Sequence, residues 1–257
     1  MTTHQIALGI DIGGSGIKGA PVDLVRGAMI GDRHKIETPQ PSTPEAIGAV
    51  VAQIAQHFAD VVPPDAPVGI TVPGVVEQGV VRFVGNIDQA WTDFDGDTMF
   101  EELLGRSVHV INDADAAGVA ESRYGAGRDR SGLVIMTTLG TGIGAALIHD
   151  GVLIPNAELG HLEIDGHNAE SRAAASARKR EGLTFQEWAE ERLQRYYSVV
   201  ENLFWPELFI VGGGISRKAE QFLPFLRLRT PIVPAALQNA AGIVGAAAVA
   251  ADHAAGR

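Results

Sequence analysis

No cysteine occurs in this chain. Disulfides and thiolate metal sites are thereby excluded, and a reducing cytoplasm is the natural setting for such a protein. Long apolar runs are missing too. Nothing in the sequence approaches the ~20 residues needed to cross a bilayer, so no membrane partner is expected. Ahead of the first apolar strand, Met1 to Gln5 offers no basic-then-apolar leader. Positive charge is scarce, with 20 Lys and Arg against 31 Asp and Glu and a net charge of −11. General affinity for nucleic acid is therefore not expected, and a polyanion would need a local basic patch. No low-complexity tail or long linker interrupts the chain. What is present is globular: 257 residues, 46% hydrophobic and 20% charged, enough for one large domain or two modest ones.

Two glycine-rich segments stand half a chain apart, GIDIGGSGIKG over Gly9 to Gly19 and MTTLGTGIGAA over Met136 to Ala146. The first contains Gly14-x-Gly16-x-x-Gly19, but a dinucleotide-binding fingerprint needs a helix to open at once. None is readable: Pro21 removes a backbone donor and Ile17, Val22 and Val25 suit extended chain. A P-loop is excluded as well, because Lys18 is followed by Gly19 instead of Ser or Thr. Each segment reads instead as a β-hairpin whose small residues let backbone N–H groups approach phosphate oxygens. A purely structural turn explains either one alone; the pairing favours a phosphate grip.

Strands and helices alternate along the rest of the chain, the mark of an α/β protein. Ile6 to Ile12 is a strand, and Thr43 caps a helix with Pro44 at its first position and Ile47, Val50, Val51, Ile54 and Phe58 on one face. Val68 to Val72 and Val108 to Ile111 are strands, the second followed by a helix through Arg123, and a domain boundary is expected near Asp113. In the second half, Leu133 to Thr137 is a strand and His149-Asp150-Gly151 a hairpin turn. A capping box at Thr184 and Glu187 opens a long helix that stops before Pro206. Leu208 to Val211 runs into Gly212, Gly213 and Gly214, then a helix that Ser216 can cap. Asn239 to Ala254 is an alanine-rich helix whose Gly242 and Gly245 suit close packing across the two halves.

Several residues can carry chemistry. Asn112 and Asp113 stand where a strand ends and a helix begins. Asp113 or Asp115 can be a simple N-cap, or Asp113 can orient a hydroxyl and take its proton during phosphoryl transfer, with Asn112 hydrogen-bonding the same substrate. Glu158, His161, Glu163, Asp165, His167 and Glu170 form a dense run. Zinc binding deserves weight, since His and carboxylates ligate it, but the spacing does not decide, and the mixture of acceptor and donor suits vicinal diols. Arg172, Arg178, Lys179 and Arg180 are the clear basic concentration, either a solvated helix face or a local field for a phosphate polymer. The Gly212 to Gly214 run allows close approach by a flat group such as a base, or by a helix.

Taken together these motifs resemble the ROK family of sugar kinases, members of the actin and hexokinase-like (ribonuclease H-like) superfamily. The resemblance rests on Asp11 to Lys18 (DIGGSGIK), Asn112-Asp113, Leu139 to Gly144 (LGTGIG), Glu158 to His161 (ELGH) and Ile210 to Gly214 (IVGGG), in family order over nearly the whole chain. Thr38 to Pro44, Glu158 to His167, Ala177 to Gly182 and Leu228 to Ala236 further resemble the family's polyphosphate-using glucokinases. The resemblance implies a duplicated α/β fold, two domains around a cleft. One comprises residues 1–112 with a returning helix at 240–257; the other, 113–239, carries the sugar motif and a homodimer surface. It implies Mg²⁺-dependent phosphorylation of glucose at its 6-hydroxyl, with inorganic polyphosphate, ATP or both as donor. Asp113 would be the base, and Gly74, Asn86, Asn112, Glu158, His161 and Glu170 would hold sugar. Asp11 would organise Mg²⁺. Donor contacts would come from Asp11, Gly13, Gly14, Ser15, Gly16, Lys18, Thr138, Gly140, Thr141 and Gly142, from Arg178, Lys179 and Arg180, and from Gly212, Gly213 and Gly214. Many relatives carry a cysteine-rich zinc motif after the Glu-x-Gly-His segment; without cysteine, no such zinc site is expected here. An ATP-only glucokinase or mannokinase is the nearest alternative. The family's DNA-binding repressors need a domain ahead of the first strand, where five residues stand.

Overall fold

The computed structural model describes residues 5–256; Met1 to His4 of the stretch read for a leader, and Arg257, lie outside that range. Two compact units divide the chain. One takes it up to Ala120 and again from Ala240, and the other runs Glu121–Asn239.

In the first unit, β1 (Ile6–Gly13) and β2 (Gly16–Asp23) form an antiparallel hairpin joined through Gly14 and Ser15, with Gly13 opposite Gly16 and Asp11 opposite Lys18. Short strands β3 (Ala28–Met29) and β4 (His34–Ile36) extend β2. Helix α1 (Pro44–His57) begins as the sequence predicts: the Thr43 hydroxyl accepts the Ala46 N–H and Ile47, Val50, Val51 and Ile54 are buried. Strand β5 (Val68–Val72) lies parallel to β1, buried throughout as a central parallel strand must be. The chain then turns through a feature absent from the sequence reading, the meander β6 (Gly74–Glu77), β7 (Val80–Val84) and β8 (Phe94–Asp95), followed by α2 (Gly96–Leu104). Strand β9 (Val108–Asn112) pairs parallel to β5, and α3 (Asp113–Tyr124) follows it directly. The two units divide within α3, between Ala120 and Glu121.

The second unit repeats the plan. Strands β10 (Leu133–Leu139) and β11 (Ile143–His149) form a hairpin, extended by β12 (Val152–Ile154). The small hairpin β13 (Glu163–Ile164) and β14 (His167–Asn168) leads to α4 (Glu170–Ala173) and α5 (Ala175–Glu181). The Thr184–Glu187 capping box opens α6 (Phe185–Trp188), which passes through a π turn at Ala189–Leu193 into α7 (Gln194–Phe204). Trp188, Tyr196, Tyr197 and Val200 from this helical stretch fill the core. Strands β15 (Leu208–Gly212) and β16 (Ile232–Pro234) run parallel to β10, giving the order β12-β11-β10-β15-β16 against β3-β2-β1-β5-β9 in the first sheet. In both, an antiparallel glycine hairpin borders parallel strands.

After β15 the structure departs from the expected helix: Gly214–Gln221 is a 3₁₀ stretch, and Ser216 lies inside it, donating its hydroxyl to the Gly213 carbonyl instead of capping. The final helix, α8 (Ala241–Ala254), also corrects an expectation. Its glycines pack within the first unit: a Cβ on Gly245 would lie 1.7 Å from the Ala116 carbonyl oxygen, and one on Gly69 of β5 would lie 1.9 Å from that of Ala246. The helix seats backbone against backbone, which no residue with a Cβ allows.

Candidate active site

At the base of the first hairpin the cross-strand register brings the Lys18 Nζ to 3.3 Å from Asp11 Oδ2. The other carboxylate oxygen accepts the Thr71 hydroxyl at 3.0 Å, because Thr71 is the parallel partner of Asp11. Both charged side chains remain about a quarter exposed, at 26% and 28%. Above them the turn is steadied by the Thr38 hydroxyl, which donates to the Gly13 carbonyl. The exposed Asn86 loop lies against this turn, its carbonyl oxygen 3.0 Å from where a Cβ on Gly14 would stand. Ser15 is exposed at the tip.

Asn112 is buried, and its amide is committed at both ends. Nδ2 donates to the Gly74 carbonyl at 2.8 Å, while Oδ1 accepts the N–H groups of Ala114 and Asp115 at 2.8 and 2.9 Å. The N-cap of α3 is therefore Asn112 itself, where the sequence offered Asp113 or Asp115. Gly74 is fixed by the meander, since a Cβ there would lie 1.9 Å from the Phe83 carbonyl oxygen. Asp113, half-buried at the carboxyl end of β9, accepts the Ala114 N–H on Oδ1 at 2.8 Å.

In the second unit, Gly140 and Thr141 are exposed and Gly142 half-buried at the hairpin tip, with Thr138 half-buried below. The turn is braced from outside. The Ser176 N–H donates to Gly140 and its hydroxyl to Thr141, both at carbonyls, and Glu170 Oε2 accepts the Ile143 N–H at 3.0 Å. The other oxygen of Glu170 lies 3.8 Å from His161 Nε2, and Glu158 lies 3.8 Å from Nδ1, so one imidazole stands between two carboxylates. Burial pushes the Glu158 carboxyl above its ordinary range; His161 opposes this and the like charge of Glu170 adds to it.

The rest of that acidic and histidine run is dispersed. Asp165 pairs with Arg195 through two bonds of 2.7 and 2.8 Å, His167 meets Arg172 at 2.7 Å, and Glu163 is exposed on β13. The basic run separates too: Arg178 donates to the Leu183 carbonyl and stacks over Phe185, whereas Lys179 and Arg180 are exposed, with Arg180 also donating to the Ser171 carbonyl. At the end of β15, Gly213 has φ of +77° and sits so close to Leu139 that a Cβ would lie 2.8 Å from its carbonyl oxygen. Nothing lies within 4 Å of a Cβ built on Gly214, while Gly212 faces Met136. Thr71 and Ser176 were missed by sequence reading, and Thr38 was seen only as the start of a family-like segment; each matters through strand register or loop proximity, which no spacing rule encodes.

Asp11 fits magnesium chemically. A single carboxylate beside a hydroxyl supplies hard oxygen donors, and Mg²⁺ is commonly held by one or two carboxylates together with substrate phosphates.

The ROK family model matches residues 7–175, and the chain belongs to the ROK family. It is 53% identical over 247 residues to the polyphosphate glucokinase of Mycobacterium tuberculosis (strain ATCC 25618 / H37Rv), covering 96% of this chain and 91% of the relative. Among solved structures, the inorganic polyphosphate/ATP-glucomannokinase from Arthrobacter sp. strain KM is 55% identical with a TM-score of 0.92, covering 97% of this chain and all of that one. A ROK family glucokinase from Streptomyces griseus, solved with glucose and AMPPNP, is 27% identical with a TM-score of 0.80, over 95% of this chain and 99% of that one. The fold is accordingly that of the actin and hexokinase-like sugar kinases.

Proposed function

We propose that this protein phosphorylates glucose at the 6-hydroxyl, taking the phosphoryl group from inorganic polyphosphate and also from ATP. The observation that carries this is Asp113. Its carboxylate stands at a strand end and helix start, accepting the Ala114 N–H next to the doubly committed Asn112, in a chain more than half identical to proteins named for this reaction. Asp113 accepts the proton of the 6-hydroxyl as its oxygen attacks the terminal phosphorus. The bond from that phosphorus to the bridging oxygen breaks, leaving a polyphosphate shorter by one unit, or ADP. Asn112 acts as a positioning residue, since its amide oxygen and one N–H serve the backbone. Glu158 and His161 are assigned to sugar hydroxyls, with Glu170 linking them to the second hairpin, and Asn86 and Gly74 to the sugar's surroundings in the first unit. Backbone N–H groups of both hairpins, with Lys18, stabilise charge on the transferring group. Asp11 would hold Mg²⁺, which when bound neutralises phosphate charge.

Lys179 and Arg180 supply exposed positive charge for a polyanionic donor, while Arg178 is spent on closing its helix. A homodimer and a cytoplasmic setting belong to the same reading; exposed Leu203 and Trp205 offer the second unit apolar surface for self-association, and no helix among the described residues is long and apolar enough to cross a membrane. A wider acceptor range, glucose and mannose, is supported by the relative described as a glucomannokinase. Purified protein with Mg²⁺, glucose and either donor should yield glucose 6-phosphate; no product from polyphosphate or ATP overturns the assignment.

A further inference from the structure

Away from the residues assigned to phosphoryl transfer, three groups from distant parts of the sequence meet in the first unit: Asp97 in the first turn of α2, His109 on β9 and His253 in the last turn of α8. One nitrogen from each imidazole and one carboxylate oxygen all lie within 4.8 Å of one another. His109 Nδ1 is 3.3 Å from Asp97 Oδ2. Two ligands on a tetrahedral ion with bonds of about 2.0 Å stand about as far apart. The imidazoles of His109 and His253 stack, with ring centres 4.5 Å apart and planes 17° from parallel.

The carboxylate is held in place by the backbone. Asp97 Oδ1 accepts the Val110 N–H at 2.6 Å, which leaves Oδ2 to His109. Gly79 packs beside it, where a Cβ would come within 2.5 Å of Oδ2. Asp97 and His109 are mostly buried, at 18% and 20% side-chain exposure, whereas His253 is exposed, so the trio has two fixed members and one that reaches water. Two imidazoles and a carboxylate favour zinc-class ions over magnesium, which prefers an all-oxygen shell.

We propose that Asp97, His109 and His253 bind a divalent transition-metal ion of the zinc class, which clasps the last turn of α8 to β9 and α2. The position sets its role apart from the magnesium chemistry at Asp11. His109 precedes Asn112 by about 10 Å along its strand. A Cβ on Gly242 would lie 3.7 Å from Asp11 Oδ1, and His253 lies about 16 Å farther along the same helix. The ion therefore fastens the far end of a helix whose near end abuts Asp11.

The test uses untagged full-length protein, stripped with a chelator and titrated with Zn²⁺ by calorimetry and with Co²⁺ by visible absorption. One equivalent should bind, with a visible Co²⁺ band and a rise in Tm of about 3 °C or more at saturating zinc. His253→Ala should weaken binding at least tenfold and abolish the Tm rise, leaving glucose phosphorylation unchanged. Asp97→Asn keeps an oxygen for the Val110 N–H and should lose the metal as well. His161→Ala, which removes the imidazole between the two carboxylates of the second unit, should bind zinc like the parent. Absence of a bound equivalent in the parent, equal affinity in His253→Ala, or loss in His161→Ala overturns the assignment.

Discussion

The two glycine hairpins stand on the same sheet plan, the first closed by two residues and the second by three, and they are held by different means. At the base of the first, Asp11 and Lys18 face each other as a charged cross-strand pair. At the equivalent level of the second, three pairs from the turn, Thr137 faces Ala145, and the turn is braced from outside by Glu170 and Ser176. Below it, the Thr137 hydroxyl meets the Tyr197 phenol at 2.6 Å, and burial drives that phenol's pKa up, so the support is neutral. The duplicated backbone device thus serves two purposes. The first unit sets an ion pair beneath its turn, while the second holds its turn with a neutral pair below and a carboxylate brace that also reaches His161.

This contrast is broken most severely at Asp113, on the charged side. Asp113→Asn should lower kcat by about 10² to 10⁴ while glucose binding, measured by calorimetry, stays within a few-fold of the parent. Activity within tenfold of the parent would remove Asp113 from the role of base. Next in size is the seat of α8. Gly245→Ala should destabilise the first unit by about 3 kcal/mol or more, because the added methyl meets the Ala116 carbonyl. A melting curve that lowers the transition of one unit alone would show the two units unfolding separately; an unchanged Tm would refute the close seat.

In the second unit, Glu170→Ala leaves the buried Ile143 N–H without its acceptor, which costs about 1–3 kcal/mol locally. The expected result is a raised KM for the phosphoryl donor with a smaller change in kcat; an equal fall in kcat alone would move Glu170 from brace to chemistry. A pH series sharpens the same point. Glu158 holds its proton to a higher pH than an ordinary glutamate, so glucose affinity should fall with acidity earlier than a carboxylate in water would dictate. His161→Ala should move that limb to higher pH and Glu170→Gln to lower pH; shifts in the opposite directions would contradict the electrostatics. The folded chain binds this proton more tightly than the unfolded one. Its contribution to stability is therefore present at low pH and lost as pH rises through the folded value. The smallest effect belongs to the exposed cations. Lys179→Ala with Arg180→Ala should weaken polyphosphate use a few-fold, more at low salt than high, and ATP use less. Equal loss for both donors would deny the pair a part in donor choice.

Much of this was legible in the sequence because the relevant signals are local. Glycine pairs between apolar alternations marked both hairpins, Thr43 and the Thr184 to Glu187 box marked helix starts, and Asn112-Asp113 marked a strand-to-helix junction. The meander from Gly74 to Asp95 was not, since its strands are two to five residues long and Arg82 and Phe83 face outward on β7, so no clean alternation survives. Ser216 misled because a serine two residues after a glycine run resembles a cap, while the left-handed Gly213 turns the chain into a tighter helix. The acidic and histidine run read as one cluster; arginines far along the chain, Arg195 above all, draw Asp165 away from it. Long-range partners of that kind, like Thr71 beside Asp11, depend on register and tertiary neighbours that a linear motif does not contain.

The helix α8 has a further consequence for how the molecule is made. Its contacts with β1, β5 and α3 join α8 to the first strand, so the first unit has no complete core until residues 241–254 have been made. The second unit is continuous in sequence and can fold while the final helix is still within the ribosome. The sheet that carries Asp11 must meanwhile wait with its α8-facing side uncovered. Removal of α8 should therefore yield a chain whose second unit is folded and whose first is not.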